Sequence, residues 1–365
     1  MIHTGWARVS TDAFNVALGA YIVAAVAYFF YLAFRRTPAW AIGLAAASAG
    51  VGAHVVSIVA RGIAAAVAYF FYLAFRRTPA WAIGLTAASA GVGAHVVSIV
   101  ARGVAAGRVP WGNMYEYSSL LSLLVVLGYL VVVEGVYRVR TLGGFPLAFA
   151  ILTMAVAVTF LYVGPAPLVP ALNSYWIKIH VVAAITGSSL FALGCVVTML
   201  YLVKDRAERR AMAGMRPIMG GSGTVSVDDR TGALEEQAPP FYEAGADEPA
   251  PVAGGPRRGI LPSAEVLDRI AYRTIAFAFP IWTFAVIAGA IWAEQAWGRY
   301  WGWDPKETWS FITWVVFAGY LHARATSGWR GRRAAVIALV GFVSLLITYY
   351  AVNLWIVGLH SYAGV

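Results

Sequence analysis

The sequence predicts an all-α, polytopic transmembrane helix bundle, and three observations predict it. Of its 365 residues, 60% are hydrophobic and only 12% charged, where a soluble globular domain carries roughly 25% charged residues. Apolar runs of about 20 residues recur along the chain, each long enough to cross a hydrocarbon core of roughly 30 Å. The runs are continuous rather than alternating with a period of two, which argues for spanning helices over the strands of a membrane barrel.

Taken in order, spans are expected at 14–34, 39–60, 62–75, 80–101, 118–137, 145–163, 180–203, 272–293, 307–324 and 334–353. Residues 1–13 carry neither a basic n-region nor a small-residue cleavage site, so the first span is expected to be its own insertion signal. Residues 26–62 recur at 67–103 with one change, Ala45 to Thr86. Stacking repeats diverge and come in several units, so this pair reads as a recent tandem duplication or a sequence-assembly artefact. Set aside, it leaves eight core spans. The extra unit adds two crossings, so the topology downstream of it is unchanged. The span at 62–75, pinched between Arg61 and Arg76, is the shortest.

The formal charge of +10 does not point to nucleic acid. The basic residues cluster at the ends of apolar runs: Arg35 and Arg36, Arg76 and Arg77, Arg138 and Arg140, Lys204 to Arg210, and Arg330 to Arg333. Lipid headgroups are the simplest partner, and the positive-inside bias places all five clusters on one side of the membrane. The 102–117, 164–179 and 294–306 loops and both termini then fall outside.

Three regions follow: a front bundle over 1–203, a disordered inner tether over 204–264, and a back bundle over 265–365. The tether is rich in Gly, Pro, Ala and acidic residues and too poor in large apolar ones to form a core. At its end SAEVLDRIAYR reads as a helix start at the surface, with Ser263 as cap and Val266 and Ile270 on one face. The single cysteine, Cys195, excludes an internal disulfide, and there is no CxxC motif. Any thiol chemistry would use a partner's thiols.

The outer loop Trp297-Gly-Arg-Tyr-Trp301-Gly-Trp303-Asp304-Pro305-Lys306-Glu307-Thr308-Trp309 holds four tryptophans and a tyrosine within 13 residues. An interfacial aromatic belt is the plain reading. A belt needs neither that density nor glycines between the rings, and Gly298 and Gly302 allow a flat partner close to the backbone. A planar hydrophobic ligand fits better. Asp304, Pro305 and Glu307 spell a helix start, with N-cap, first-position proline and capping-box acid, so the loop is tied to the next span.

Six histidines bear on the ligand: His3, His54, His95, His180, His322 and His360. His180 opens one span and His360 closes the last, both on the side of the tryptophan-rich loop. Singly, each reads as a hydrogen-bonding interfacial histidine. As a pair at matched depth they suggest axial ligands to a haem iron, whereas a zinc site would leave the aromatics unexplained. His322 lies near the inner end of the span that Asp304 begins. An ionisable group at that depth is a functional candidate, against the alternative of a side chain snorkelling beside Arg324. His54 and His95 are copies through the duplication, and only His95 precedes the outer sequence GRVPWGNMYEY. No role attaches to His3.

WGRYWGWDPKETW resembles the WWD motif of the haem-handling membrane proteins of cytochrome c biogenesis. Together with PWGNMYEY, NSYWIKIH, YLHAR and NLWIVGLHSYA, it is similar to the multi-span subunit of the Ccs/Res (System II) machinery, of CcsA/ResC type and also called CcsB. The resemblance covers about residues 14–203 and 265–365; the duplication and the long tether depart from the family's plan. It implies that His180 and His360 ligate the haem iron at the outer face and that His322 ligates haem in transit. Trp297, Trp301, Trp303 and Asp304 match the motif, and Trp309 closes the aromatic string. It further implies haem b as substrate and ligand, and thioether formation between its vinyl groups and the CxxCH thiols of apocytochrome c. Such a haem lyase subunit would work with a ResB-type membrane partner and a thiol-reducing protein, in a bacterial cytoplasmic membrane. Three alternatives remain: a haem-delivery protein that loads a chaperone, a haem-free transporter using His322 and Glu134 as proton-relay groups, and a structural membrane subunit that would tolerate alanine at every one of these histidines.

Overall fold

The computed structural model describes residues 4–34, 80–167, 174–214, 261–356 and 358–359. The expected spans at 39–60 and 62–75, residues 215–260 of the tether, and His3, His54 and His360 lie outside the described residues. Among the described residues there is no strand. Eight helices are seen: α1 (Thr4–Phe34), α2 (Ala80–Ala106), α3 (Met114–Gly128), α4 (Gly144–Phe160), α5 (Tyr175–Gly214), α6 (Ala264–Trp297), α7 (Pro305–Ala325) and α8 (Arg332–Leu346). Wide π-type turns continue α3 over Tyr129–Val136 and α8 over Ile347–Ala351, the latter ending in a short helix Val352–Trp355. With the turns that flank α3, α4 and α8 included, seven of the eight are long and apolar enough to cross a membrane. The exception is α7, expected as a span at 307–324, because Lys, Glu, Thr, Ser, His and Arg dilute its apolar residues.

α1 and α2 pack antiparallel. A Cβ on Gly84 would stand 2.8 Å from the Tyr28 ring and one on Gly91 2.6 Å from the Tyr21 ring, while Ser98 Oγ donates to Ser10 O at 2.7 Å. The pair therefore joins residues 26–34 of the first repeat copy, on α1, to residues 80–103 of the second copy, on α2. His95 sits in this seam, fully buried. Its Nε2 is 2.9 Å from Ser119 Oγ and its Nδ1 3.3 Å from the Tyr21 hydroxyl. That is a satisfied core histidine.

α5 and α6 form the second long antiparallel pair, made possible by glycines along the seam. A Cβ on Gly194 would approach Ile275 Cγ1 to 2.7 Å, and one on Gly187 the Trp282 backbone to 3.3 Å. At the bundle centre Phe191 stacks on Phe317 with ring centroids 3.8 Å apart.

The first residues of the expected tether, 204–214, are helical, whereas its expected end at 264 coincides with the start of α6. α5 runs through 204–214, where Lys204–Glu208 and Asp205–Arg209 pair at i,i+4 and Arg332 Nε binds Asp205 at 2.7 Å. α6 begins at Ala264, two turns ahead of 272, because Ser263 caps it by accepting from Val266 N and because Leu267 and Ile270 are buried. The stretch read as a surface helix start is thus the first part of a 34-residue helix.

Helix alternation puts the start of α1, the end of α2 and the starts of α3, α5 and α7 at one end of the bundle. The ends of α4, α6 and α8 join them there. Arg138 and Arg140, Lys204 to Arg210, and Arg330 to Arg333 all lie at the opposite end.

Candidate functional site

The tryptophan-rich loop links α6 to α7 and is fastened at both ends. Gly298, at φ 71°, ends α6 in the left-handed region, with its N–H on Glu294 O at 2.8 Å. Asp304 caps α7 with a full capping box: its side chain accepts from Lys306 N, and Glu307 Oε2 accepts from Asp304 N at 3.1 Å. The same oxygen takes Gly302 N at 2.8 Å. Asp304 Oδ1 also accepts from Leu359 N at 2.8 Å, so one carboxylate ties the loop to the end of the chain. Gly302 lies directly over the Arg299 guanidinium, where any Cβ would collide with Nη1. Arg299 Nη1 stands 3.9 Å from Glu307 Oε2. Arg299 Nη1 and Glu307 Oε1 are the two buried side-chain polar atoms without a hydrogen-bond partner among the described residues.

Beneath this loop is a cavity with about 1170 Å³ of space between atoms, a figure that includes its open rim. Four helices, the segments that precede α3 and α7, and the π-turn after α8 wall it. The strap before α3 supplies Trp111, and α3 supplies Tyr117. His180, Ile177 and Ala184 come from α5, and Trp282, Gly289, Trp292 and Trp297 from α6. The loop and start of α7 add Tyr300, Trp301, Lys306 and Glu307, and the π-turn after α8 adds Thr348 and Tyr349. An aromatic-walled cavity with a few polar groups is the usual form of a ligand site.

His180 is held in one orientation. Its Nδ1 stands 2.8 Å from Ala285 O, and a carbonyl can only accept, so Nδ1 carries the proton and Nε2 is the basic nitrogen. The ring stacks on Trp292 at 6.4 Å between centroids and 12° between planes. Gly289 makes room for it, since a Cβ there would lie 2.7 Å from Nδ1 and 2.8 Å from Cε1. Trp292 in turn meets Trp297 edge-on at 4.8 Å. A metal-ligating histidine is typically held in this way, through a backbone carbonyl on its other nitrogen.

Lys306, in the first turn of α7 just ahead of the span expected from 307, points its ammonium at Asn353 Oδ1, 3.0 Å away. Burial pushes that ammonium down to about 8, with the Asp304 charge acting the other way.

Behind the strap, Glu116 is buried and gathers two arginines. Arg102 Nε and Arg108 Nη1 each bind it at 2.8 Å, and Gly112 N donates to it at 2.7 Å. Arg102 and Arg108 also reach Val163 O and Ala166 O. This cluster fixes Trp111 and Asn113 against the cavity.

The sequence-selected residues divide accordingly. His180, Trp297 and Trp301 line the cavity together. Trp303 does not: it adopts φ 57°, is 65% exposed, and meets Trp301 and Phe311 edge-on at 5.8 and 6.2 Å. Asp304 acts through backbone amides, and Trp309 stands outside the cavity lining. His322 is exposed, beside Thr326 Oγ1 at 3.4 Å. Fifteen residues up α7, it is about 22 Å from Glu307. Glu134 accepts from the hydroxyls of Tyr28 and Tyr129 at 2.5 and 2.6 Å, at the opposite end from the cavity.

Sequence reasoning did not single out Trp111, Trp282, Trp292, Tyr117, Tyr349 or Lys306. Trp292, five residues before Trp297 in WAEQAWGRYW, carried a visible signal. Trp111 and Tyr117 lay within the quoted string PWGNMYEY, whereas Tyr349 carried no signal beyond a place on an apolar helix.

A family model described as cytochrome C assembly protein matches residues 111–360. The protein named cytochrome c biogenesis protein CcsA from Gloeobacter violaceus is 40% identical over 277 residues, covering 69% of this chain and 78% of that one. Its namesake from Trichormus variabilis is 38% identical over 290 residues, covering 70% and 81%. Among solved structures, the cytochrome c heme lyase CcmF matches with a TM-score of 0.55 at 13% identity, over 94% of this chain and 46% of that one. That last likeness is one of fold alone.

Proposed function

Because this chain belongs to the cytochrome c assembly protein family, as a CcsA-type membrane subunit, we propose that its cavity binds haem b and presents it for covalent attachment to apocytochrome c. The observation that carries the reading is His180. Its Nδ1 proton is committed to Ala285 O, which leaves Nε2 as the basic nitrogen of an imidazole fixed within a tryptophan-walled cavity. The residues suit a porphyrin: flat aromatic faces, a small number of polar groups, and a nitrogen ligand whose tautomer is set. His360, one residue past the Leu359 amide that Asp304 holds, is the proposed second axial ligand. His322 is the proposed ligand for haem in transit from the inner side.

The tryptophan-rich loop, the cavity and both termini are assigned to the outer side of a bacterial cytoplasmic membrane. The support is that the basic clusters gather at the other end of the bundle. Haem supplies two vinyl groups. Each thiol of a CxxCH segment adds across one of them, forming a C–S bond at the carbon next to the ring. The thiol proton goes to the terminal carbon, so the step needs no oxidant or reductant. The chain's own residues hold and orient the ring and exclude water, an effect of proximity rather than of acid–base chemistry. Cys195 is buried, so the thiols are the substrate's. A ResB-type membrane partner and a thiol-reducing protein complete the proposed assembly.

His180→Ala is expected to abolish covalent haem in co-expressed apocytochrome c, read by haem stain, with the protein's membrane level unchanged. Added imidazole should restore part of it. Undiminished holocytochrome c from that variant would overturn the reading.

A further inference from the structure

We infer that Lys306 is the cation that receives the carboxylate edge of the ligand, so that haem enters the cavity with its propionates toward the start of α7. The inference rests on the haem reading and deepens it by assigning the ring's orientation.

The cavity carries two formally charged side chains, Lys306 and Glu307. Glu307 is engaged through Oε2, which accepts the amides of Gly302 and Asp304, and Arg299 Nη1 stands 3.9 Å from that oxygen; Glu307 Oε1 has no hydrogen-bond partner among the described residues. Asp304, the acid next to Lys306 in sequence, turns its carboxylate to the backbone amides of Lys306 and Leu359. Lys306 is the one formally cationic side chain of the cavity lining. Among the described residues its ammonium has one hydrogen-bond partner, the neutral Asn353 amide, and no carboxylate within 4.0 Å. An ammonium in an apolar wall is costly unless paired, and a cation with donors to spare, on a cavity otherwise lined by rings, is a seat for an anionic group. Haem is a flat apolar ring with two carboxylates on one edge and vinyls on the others. His180, on α5, meets the face of such a ring, whereas Lys306, on α7, meets an edge. With the propionate edge at Lys306, the vinyl edge is turned away from α7, where an incoming thiol meets no competing cation.

The test is absorption titration of the purified full chain, with its membrane partner, using haem b and its dimethyl ester as probes. Wild-type protein is expected to bind the diacid about tenfold or more tightly than the diester, the size of one charge-assisted hydrogen bond. Lys306→Gln should bind both alike, at the diester's affinity, while Lys306→Arg should keep the preference. The ester comparison on wild-type protein needs no mutation, so a poorly folding variant does not block the answer. Equal affinities in the wild type, or a preference retained in Lys306→Gln, would overturn the assignment with the haem site intact. Binding of neither probe by the wild type would instead bring down the haem reading and this inference with it.

Discussion

Gly289→Ala is a one-carbon change aimed at the atom that orients His180. The added Cβ would lie 2.7 Å from Nδ1 and 2.8 Å from Cε1, against an ordinary contact of roughly 3.5 Å or more. The imidazole must therefore shift by about 0.7 Å or more, and the 2.8 Å hydrogen bond to Ala285 O cannot survive that in good geometry. Loss of the bond costs about 1 kcal/mol, and loss of an outer-shell partner of a metal-ligating histidine typically lowers metal affinity about 10–100-fold. Gly194→Ala is the matched control. It crowds the same α5–α6 seam to the same 2.7 Å, but against Ile275 Cγ1. The assay is haem content per mole of purified protein, together with the reduced spectrum and the thermal midpoint. Both variants should lose similar stability, and only Gly289→Ala should lose haem or change its spectrum. Equal haem loss in the two would refute the reasoning, because it would trace the effect to helix spacing rather than to the imidazole.

Three further outcomes are expected. Deleting residues 35–75 removes one repeat copy and joins α1 to α2 through residues 76–79; since the two helices are antiparallel, this short link suffices, and the deletion variant should match the full chain in haem content and melting. A deletion variant that fails to accumulate in membranes would show that the second copy has a role. Glu116→Gln leaves Arg102 and Arg108 buried beside a neutral group, which should cost about 3–5 kcal/mol and lower the melting temperature and haem retention together, through the strap that carries Trp111; unchanged melting would contradict the clamp. The preference for haem over its dimethyl ester should fade with rising pH, because the Lys306 ammonium, pushed down to about 8 by burial, is charged below that value and neutral above it. A bound carboxylate moves the midpoint upward, and a ratio that stays flat from pH about 6.5 to about 9.5 would remove Lys306 as the responsible cation.

Most of the fold was legible because membrane burial writes long apolar runs into a sequence, and because Asp304, Pro305 and Glu307, like Ser263, are local capping signals that need no tertiary context. The end of α5 was not legible. Its extension beyond the apolar run depends on pairs such as Asp205–Arg332, which join residues far apart in the chain. In the site, the dense string at 297–309 was plain, but its division was not. Trp301 faces the cavity while Trp303 turns outward, a consequence of the left-handed backbone at Trp303 that no propensity foretells, since such a conformation is uncommon away from glycine. Trp111, Trp282 and Tyr349 reach the cavity from three other elements, and only packing brings those together. Glu134 read equally well as a relay group in an apolar segment. Its two tyrosine partners, one of them on α1, became visible only with the helices assembled.

The proposed function requires haem in the cavity around His180. The most direct measurement is the reduced absorption spectrum of the purified protein with its membrane partner, beside a His180→Ala variant of the same complex. A spectrum of haem with two nitrogen ligands in the wild type, lost or shifted in the variant, is the predicted result. Haem-free wild-type protein under ample haem supply, or an identical spectrum in the variant, would contradict it.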